Sequence, residues 1–419
     1  MDRAGAGVKG EILFLAHRIP FPPDRGDKIR SHHVLQALAR LAPVHVACLA
    51  DDAADLAEEP ALAALAASHC LARRRKPLAV AGVQALLQGR PVSLMAFHHG
   101  SLASYVRRVL ATRPIAAVYV FSGQMGQYLP AQFGGRVVMD FVDADSAKFE
   151  AYAQGGSGPR RWIDAREARL LRAEEGRLAA RAAVSLLVTS AEQALFAERL
   201  HPALRDRVRL AVLANGIDAQ LFNPAQVPAE PQLEAGAGPR LIFTGQMDYA
   251  PNVAAAVRAI DRIMPRIRAV FPEATFDVVG RNPAAELCAR DGVNGARIRG
   301  RVDDVRPWLR GADLALVPLE IARGVQNKVL EAMAMALPVV LSRGAATGID
   351  AHDGVHFCIG DDDASLANAA LALLQDTRQA AAMGQAARQR VVETASWEAA
   401  LSGLPGLLGF EPGTPANGH

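Results

Sequence analysis

The chain has 419 residues, of which 51% are apolar, so it is long enough for two domains that each bury a core. Its 46 basic and 43 acidic side chains give a net charge of +3, which argues against a nucleic-acid-binding protein that relies on bulk charge. The four cysteines are scattered without metal-ligand or redox spacing, which predicts free thiols in a reducing cytoplasm. The sequence shows neither a signal-peptide core nor a run of about 18 apolar residues. We therefore expect a cytoplasmic protein that meets any lipid at the inner face of the plasma membrane.

In the first half of the chain, short apolar runs alternate with segments of helical spacing, which is the pattern of a parallel α/β sheet. The predicted strands are residues 11–16, 44–49, 116–121, 134–140, 184–188 and 208–213. A loop with three prolines, residues 17–28, follows the first of them and opens a helix. Loops at the carboxyl ends of parallel strands bind ligands in α/β proteins. Gly26, Asp27, Lys28 and Arg30 are therefore candidates for contact with an acceptor or a phosphate, the alternative being a solvated first helical turn.

The strand predicted at 134–140 ends in an acidic stretch that contains Asp140, Asp143 and Asp145. We expect at least one of these carboxylates, with Asp143 as our candidate, to bind an acceptor hydroxyl or to act as a general base. Capping of the following helix is the alternative. The Asp-x-Asp pattern also resembles a metal motif, but we expect no metal, because basic residues elsewhere supply the positive charge.

Residues 159–183 form a predicted helix with many arginines, several glutamates and a narrow apolar stripe. One interpretation is a surface helix whose charges pair with one another. The other is a helix that contacts anionic lipid.

The alternation of strands and helices restarts after a stretch rich in proline and glycine. The predicted strands of this second half are residues 241–244, 275–279, 296–300, 312–318 and 339–341. The predicted helices are residues 253–268, 325–336, 364–375 and 377–394. Two successive series of this kind predict two parallel sheets, each covered by helices.

The stretch from residue 296 to residue 342 carries the strongest functional signal. Arg323 and Gly324 lie in the loop before the predicted helix 325–336, and Lys328 and Glu331 lie in its first turns. A helix N-terminus at a strand's carboxyl end presents free backbone N–H groups to an anion, and Gly324 permits close approach. Two cations followed by a carboxylate suit a nucleotide diphosphate, with phosphates at the helix tip and ribose hydroxyls on Glu331. The alternative is a surface pair of Lys328 and Glu331, worth about 0.2–0.5 kcal/mol.

Two stretches carry a resemblance to a known family. Residues 328–342, KVLEAMAMALPVVLS, resemble the donor-site helix of the family 4 glycosyltransferases. Residues 215–224 match the string Asn-Gly-Ile-Asp-x-x-x-Phe-x-Pro that ends the first domain in that family. The resemblance implies an α/β fold with two Rossmann-like domains facing a cleft, which is the GT-B architecture.

The resemblance also assigns residues to the donor. It implies that Glu331 holds the donor ribose and that Gly245, Gln246 and Val302 border the donor. Gly324 and Asn327 complete the predicted donor-binding set. The variant Gly-x-x-Asn-Lys before the glutamate resembles the sugar transferases of exopolysaccharide and PEP-CTERM protein-sorting systems.

Several positions depart from the family pattern. Arg323 stands where the family has a glutamate that faces the donor sugar. Gln246 and Ala250 stand where many members have an arginine and a lysine that grip the diphosphate. We infer that the phosphate-binding cations moved to Arg323 and Lys328, which we assign to catalysis with Asp143. Many members also have a histidine at the end of the strand predicted at 116–121, and the sequence shows none there.

The resulting prediction has five segments. They are an N-terminal acceptor-side domain of residues 1–224, a linker of residues 225–239, a nucleotide-sugar domain of residues 240–395, a helix of residues 396–410 that crosses back to the first domain, and a frayed tail of residues 411–419.

The predicted function is transfer of a sugar from a nucleotide diphosphate to an acceptor hydroxyl, in exopolysaccharide or lipid-linked glycan synthesis. Retention of configuration is what the resemblance implies. We expect no cofactor beyond the nucleotide-sugar substrate, no metal and no nucleic acid. The alternatives are a non-hydrolysing nucleotide-sugar epimerase and a sugar-nucleotide-binding partner without activity.

Overall fold

Apolar runs of three to seven residues form the strands of two parallel sheets in a computed structural model of the chain. The structure describes residues 10–155, 158–234, 238–320 and 325–410. Among these, the residues up to Asn215 and from Leu401 onward form one compact unit, and Gly216–Ala400 form a second.

The first unit contains a seven-stranded sheet with the order β3-β2-β1-β4-β5-β6-β7, in which all neighbours are parallel. The strands are β1 Glu11–Ala16, β2 Val44–Ala50, β3 Ser68–Arg73, β4 Ile115–Phe121, β5 Arg136–Val142, β6 Val184–Leu187 and β7 Leu210–Val212. Strand β2 is buried along its whole length, as expected for a strand covered by helices on both faces.

The helices of the first unit connect these strands. They are α1 Gly26–Leu41, α2 Ala53–Ala57, α3 Glu59–Leu65, α4 Leu78–Gln88, α5 Val92–Ala96, α6 Gly100–Thr112, α7 Asp145–Gly155, α8 Gly158–Ala179 and α9 Ser190–Arg199. The arginine-rich helix predicted at 159–183 is α8.

The second unit contains a six-stranded parallel sheet with the order β10-β9-β8-β11-β12-β13. Its strands are β8 Arg240–Thr244, β9 Thr275–Val279, β10 Ala296–Gly300, β11 Leu314–Val317, β12 Val339–Ser342 and β13 Cys358–Gly360. Its helices are α10 Pro231–Glu234, α11 Ala250–Arg258, α12 Met264–Arg268, α13 Ala285–Cys288, α14 Arg306–Gly311, α15 Asn327–Ala334, α16 Asp363–Gln375, α17 Thr377–Thr394 and α18 Trp397–Ala400.

The boundaries of the two units differ from the predicted ones. Residues 216–224 were expected in the first domain but pack in the second unit, where the backbone N–H of Ile217 donates to Ala395 O at 2.7 Å and Arg388 donates to Phe222 O at 2.7 Å. The predicted linker also contributes to this unit, because Leu233 of α10 is 1% exposed in its core. Leu233 is an isolated apolar residue in a proline-rich stretch, so the composition did not reveal its burial.

The segment predicted as one helix at 396–410 is two short helices. Helix α18 belongs to the second unit, and a final helix, α19 Leu404–Leu408, belongs to the first. Arg136 of β5 donates to Leu407 O at 2.6 Å, which ties α19 to the first sheet. The predicted tail 411–419 lies outside the described residues.

In each sheet the chain first adds strands on one side of its first strand and then returns to add the rest on the other side, so one pair of adjacent strands marks the reversal of strand order. In the first sheet this pair is β1 and β4, and in the second it is β8 and β11. The loops after such a pair turn to opposite faces and leave a crevice at the carboxyl end, where α/β proteins bind ligands. The first sheet therefore favours a site after β1 and β4, and the second a site after β8 and β11.

A buried ion pair connects α1 to the first sheet. Arg30 is 1% exposed, and its Nε donates to Asp140 Oδ2 at 2.9 Å. Tyr119 donates to the same carboxylate at 2.7 Å, and Arg30 Nη1 donates to Asn215 Oδ1 at 2.9 Å. The Asn-Gly-Ile-Asp string thus supplies its asparagine to the interior of the first unit.

We expect Arg30→Met to lower the free energy of unfolding by about 3–5 kcal/mol, because it leaves the Asp140 carboxylate buried without its cation. Urea denaturation followed by circular dichroism measures the loss. Arg343→Met is the matched control: Arg343 pairs with Asp361 at 2.9 Å on the surface, where solvent screens the pair, so its loss should change the urea midpoint far less. Equal urea midpoints for the two variants would contradict the structural role of Arg30.

Candidate functional site

The loop after β8 meets the first turn of α15 at the amino group of Lys328. Lys328 Nζ donates to Asn252 Oδ1 at 2.5 Å and lies 4.9 Å from the centre of the Phe243 ring. A Cβ atom at position 245 would lie 3.3 Å from Lys328 Nζ and 2.8 Å from Asn252 Nδ2. Gly245, with a φ of +153°, therefore leaves the space that the lysine occupies.

Asn252 of α11 holds both sides of this junction. It is 6% exposed, and its amide nitrogen donates to Gln246 O at 2.9 Å while its amide oxygen accepts from Lys328. The Asn252 amide thereby fixes the loop after β8 relative to the Lys328 side chain. Sequence reasoning missed Asn252, because it lies two positions beyond the place where the family often has its lysine.

The Lys328 amine is partly shielded from water, which disfavours its charged form. Burial lowers the pKa of Lys328 to about 8, although the negative charge of Glu331 acts in the opposite direction. Around neutral pH the amine is thus mostly protonated and incompletely compensated. An anion bound there would find a cation already in position.

Glu331 lies one helical turn beyond Lys328 and is half-buried. Burial raises its pKa, and the charge of Lys328 opposes that shift. Among the described residues, no side chain or backbone group donates a hydrogen bond to its carboxylate. The oxygens are therefore available to accept from the hydroxyl groups of a ligand.

Packing of α15 fixes the direction of both side chains. Val329, Leu330 and Met333 are 0–4% exposed in the core of the second unit, which leaves Asn327, Lys328 and Glu331 on the remaining face. The helix begins at Asn327, two residues later than predicted, and Asn327 is exposed. The first N–H groups of such a helix have no acceptor within the helix and carry its positive end.

Arg323 and Gly324, two predicted members of the site, lie outside the described residues. Glu320, the nearest acidic residue before them, has its carboxylate 3.1 Å from Arg262.

The other predicted donor residues differ in their relation to Lys328. Gln246 is joined to it through Asn252, but the Gln246 side chain is turned toward Asp248 and Arg281. Val302 follows β10, which β9 separates from β8 in the sheet, and it packs partly against the core.

The loop after β1 differs from its prediction at both cations. Lys28 is 3% exposed, and its amine donates to Asp55 Oδ1 at 2.6 Å and to Phe21 O at 2.9 Å. Arg30 is buried against Asp140. Both positive charges are paired with carboxylates inside the first unit, so an anion that bound there would compete with an existing ion pair. Gly26 begins α1, and a Cβ at that position would have no neighbour within 4 Å.

A histidine does lie at the end of β4, although β4 does not supply it. His17 follows β1, the neighbour of β4, and its ring stacks on Phe121 with centroids 5.6 Å apart and an interplanar angle of 11°. Its Nε2 is 3.3 Å from Asp27 Oδ2. The signal in the sequence was a histidine directly after β1, the strand that pairs with β4.

Asp27 is a charged partner for this histidine. Burial raises the pKa of Asp27, but the hydrogen bond with His17 and the charge of Arg18 outweigh burial and hold the pKa well below its ordinary range. Arg18 also bonds Asp51, and Arg74 donates to that same residue at 2.8 Å. The residues that follow β1, β2 and β3 thus form a charged network.

The acidic residues that suggested a metal motif have cationic partners. Asp143 accepts from Lys148 at 2.9 Å, and Asp145 accepts from the same amine at 3.2 Å. In the part of the chain that the structure describes, no three His, Cys, Asp or Glu side chains are grouped as metal ligands.

The two parallel sheets and their flanking helices give this α/β chain the fold of the GT-B glycosyltransferases. Residues 238–376, which include Gly245, Asn252, Lys328 and Glu331, match the model of a family described as Glycosyl transferases group 1.

Two curated relatives match part of the chain. The alpha-maltose-1-phosphate synthase of Mycolicibacterium smegmatis is 30% identical over 221 residues, which are 48% of this chain and 56% of the relative. The GDP-mannose-dependent monoacylated alpha-(1-6)-phosphatidylinositol monomannoside mannosyltransferase of Corynebacterium glutamicum is 28% identical over the same shares. The chain therefore spans about half the length of the curated relatives it matches.

Solved structures extend the likeness of fold to nearly the whole chain. HepE of Anabaena in complex with UDP has a TM-score of 0.59 and 16% identity, covering 95% of this chain and 99% of that one. Sucrose-phosphate synthase of Thermosynechococcus elongatus has a TM-score of 0.57 and 15% identity, covering 95% of this chain and 98% of that one.

No helix among the described residues is long and apolar enough to cross a membrane.

We expect the amine of Lys328 to titrate near pH 8 in the free protein, since burial disfavours its charged form. The lysines are Lys9, Lys28, Lys76, Lys148 and Lys328, so a carbon-labelled lysine spectrum is simple enough to follow each Cε resonance against pH. Lys328→Arg assigns the signal. Lys148, whose pKa the carboxylates of Asp145 and Asp143 raise despite burial, is the internal control. A Lys328 midpoint near the ordinary value of about 10.4 would show that the amine is fully hydrated.

Proposed function

We propose that the chain is a glycosyltransferase that moves a sugar from a nucleotide diphosphate to an acceptor hydroxyl. One observation carries the proposal: the half-buried amine of Lys328 lies beside Gly245 without an ion-pair partner among the described residues, one turn before the available carboxylate of Glu331. The match of residues 238–376 to a glycosyltransferase family supports it.

The donor would bind along the exposed face of α15. Its diphosphate would contact Lys328 and the first N–H groups of the helix, with Arg323 as a second cation. Its ribose hydroxyls would donate to Glu331. Gly324, Asn327, Gly245, Gln246 and Val302 form the remaining proposed boundary of the donor.

The reaction would break the bond between the anomeric carbon and the β-phosphate oxygen and form a bond to the acceptor oxygen. Negative charge would develop on the leaving diphosphate, where Lys328 and the helix N-terminus stabilise it, so no metal ion is needed. The acceptor hydroxyl would lose its proton to a base, for which Asp143 is our candidate. We also propose that the anomeric configuration is retained, as the family resemblance suggests.

On the acceptor side, we propose a growing exopolysaccharide or a lipid-linked glycan at the inner face of the plasma membrane. The resemblance of Gly324-Val325-Gln326-Asn327-Lys328 to exopolysaccharide sugar transferases supports this choice. The name of the Corynebacterium relative, whose acceptor is a phosphatidylinositol mannoside, is compatible with a lipid-linked acceptor.

A second candidate is a sugar-nucleotide-binding protein without transfer activity, which Arg323 favours because it replaces a glutamate of the family. Consumption of a nucleotide-sugar panel, followed by release of nucleoside diphosphate with and without glycan acceptors, distinguishes the two. Transfer requires acceptor-dependent release. A protein that binds the donor but never releases diphosphate fits the second candidate.

We expect Lys328→Met to weaken binding of the preferred nucleoside diphosphate by about 10- to 100-fold, because the diphosphate loses its buried cation. Calorimetry with UDP, GDP and ADP measures the change. Lys148→Met, which removes an amine from the first unit, is the matched control and should leave the affinity unchanged. Unchanged affinity in Lys328→Met would refute the proposed phosphate contact.

Glu331→Gln tests the ribose contact separately. We expect the parent to bind the ribonucleotide about tenfold or more tightly than its 2′,3′-dideoxy analogue, because the carboxylate is left without a donor when both hydroxyls are missing. The variant should lose most of that preference. A preference that persists in Glu331→Gln would place the ribose elsewhere.

Nucleotide affinity should also depend on pH through Lys328. Only the protonated amine attracts the diphosphate, so affinity should be greatest below the pKa of about 8 and fall as the pH rises through it. Binding raises the pKa, so calorimetry near pH 8 in buffers of different ionisation enthalpy should detect proton uptake. Both effects should be missing in Lys328→Met. A parent protein whose affinity is constant from pH 7 to about 9.5 would contradict the assignment.

A further inference from the structure

Helix α4 of the first unit turns an apolar face outward. Its alanines Ala81 and Ala85 are fully buried against neighbouring helices. The opposite side, which we call the α4 face, consists of Leu78, Val80, Val83, Leu86 and Leu87, with exposed fractions of 70%, 45%, 59%, 58% and 83%. A surface helix ordinarily presents charged or polar side chains to water, yet the eleven residues of α4 include no charged side chain.

The helix that contacts the end of α4 carries an exposed tryptophan. Arg166 of α8 donates to Ala85 O at 3.0 Å and to Arg90 O at 3.2 Å, which places this part of α8 at the end of α4. Trp162 lies one helical turn before Arg166 and is 62% exposed. Tryptophan is enriched where a protein meets the boundary between water and lipid.

Basic residues predominate in the sequence around α4, although the neighbouring helix α8 also carries Glu167 and Asp164, the latter 3.9 Å from Arg160. Residues 60–139, which extend on both sides of the helix, contain nine basic residues and no aspartate or glutamate. Arg73 and Arg75, immediately before the helix, are exposed, and so are Arg160 and Arg161 beside Trp162. The chain as a whole is nearly neutral at +3, so these cations are concentrated in one region.

We propose that the α4 face inserts into the headgroup layer of an anionic membrane, with the surrounding arginines contacting lipid phosphates. Apolar insertion and attraction to anionic lipid are the two contributions that bind interfacial helices. A second copy of the chain fits this surface less well, because a two-fold contact would bring like charges together. The inference rests on the proposed function for its purpose, which is to hold the transferase beside a lipid-linked acceptor.

The test is co-sedimentation of the full chain with vesicles of phosphatidylcholine alone or mixed with phosphatidylglycerol, without a nucleotide or an acceptor. We expect binding to the mixed vesicles that weakens as sodium chloride is raised. We expect the double variant Leu86→Asp/Leu87→Asp to bind at least about tenfold more weakly, since two leucines no longer enter the lipid. Arg73→Glu/Arg75→Glu should lose a similar amount and depend less on salt.

A matched control uses apolar residues of similar exposure in the second unit. Val270 and Val392 are 48% and 43% exposed, so Val270→Asp/Val392→Asp should bind vesicles as the parent does. Tryptophan fluorescence gives a direct readout, because Trp162 is exposed whereas Trp308 and Trp397 are each 5% exposed. Brominated lipid should quench the parent and not the leucine variant.

Three results would overturn the inference. The first is that the parent protein does not bind anionic vesicles. The second is that the leucine variant binds them as tightly as the parent. The third is that the parent is a dimer in solution and that Leu86→Asp/Leu87→Asp dissociates it. Nucleoside diphosphate affinity in vesicle-free buffer is measured alongside and should be equal in parent and leucine variant. A parent protein that binds nucleoside diphosphate but not the mixed vesicles rejects the membrane surface alone, and a parent protein that binds the vesicles but no nucleoside diphosphate rejects the proposed transferase alone.

Discussion

The site depends on one charge that the protein does not neutralise fully. Lys328 is held by a neutral amide and a neutral ring, and burial makes its charged form less stable than in water. An anion that binds here gives the Lys328 amine the negative partner that it lacks in the free protein. Because Asn252 and Gly245 fix the amine before any ligand arrives, little reorganisation is needed when negative charge develops on a leaving group.

The order of the strands explains why these residues meet. Gly245 follows β8 and α15 follows β11, and the two strands are adjacent although β9 and β10 come between them in the sequence. The same principle in the first sheet brings His17 after β1 to Phe121 at the end of β4. In both units the chain returns to the middle of the sheet after building one side, and the side chains at that return become neighbours.

The sequence predicted most strands, because buried parallel strands are recognisable apolar runs. It also placed Lys328 and Glu331 one helical turn apart at the start of a helix, and the structure has them there. It did not predict the partners of Lys28 and Arg30. Those partners, Asp55 and Asp140, are 27 and 110 residues away, and only the packing of α1 brings them close. Periodicity places a residue on an element but does not show which distant carboxylate faces it.

Whether a buried cation already has a carboxylate partner distinguishes a structural role from a ligand-binding one. Lys28 and Arg30 each have a carboxylate within hydrogen-bond distance, so a ligand phosphate would compete with an established pair and would leave a buried acid unpaired. Lys328 has no such pair within the described residues, and a phosphate there would break nothing. A glycine-bearing loop with nearby lysines and arginines therefore looks the same in both units at the level of sequence. The difference lies in whether the fold has already supplied the counter-charge, and on that ground we propose that a diphosphate binds to the second unit and not to the loop before α1.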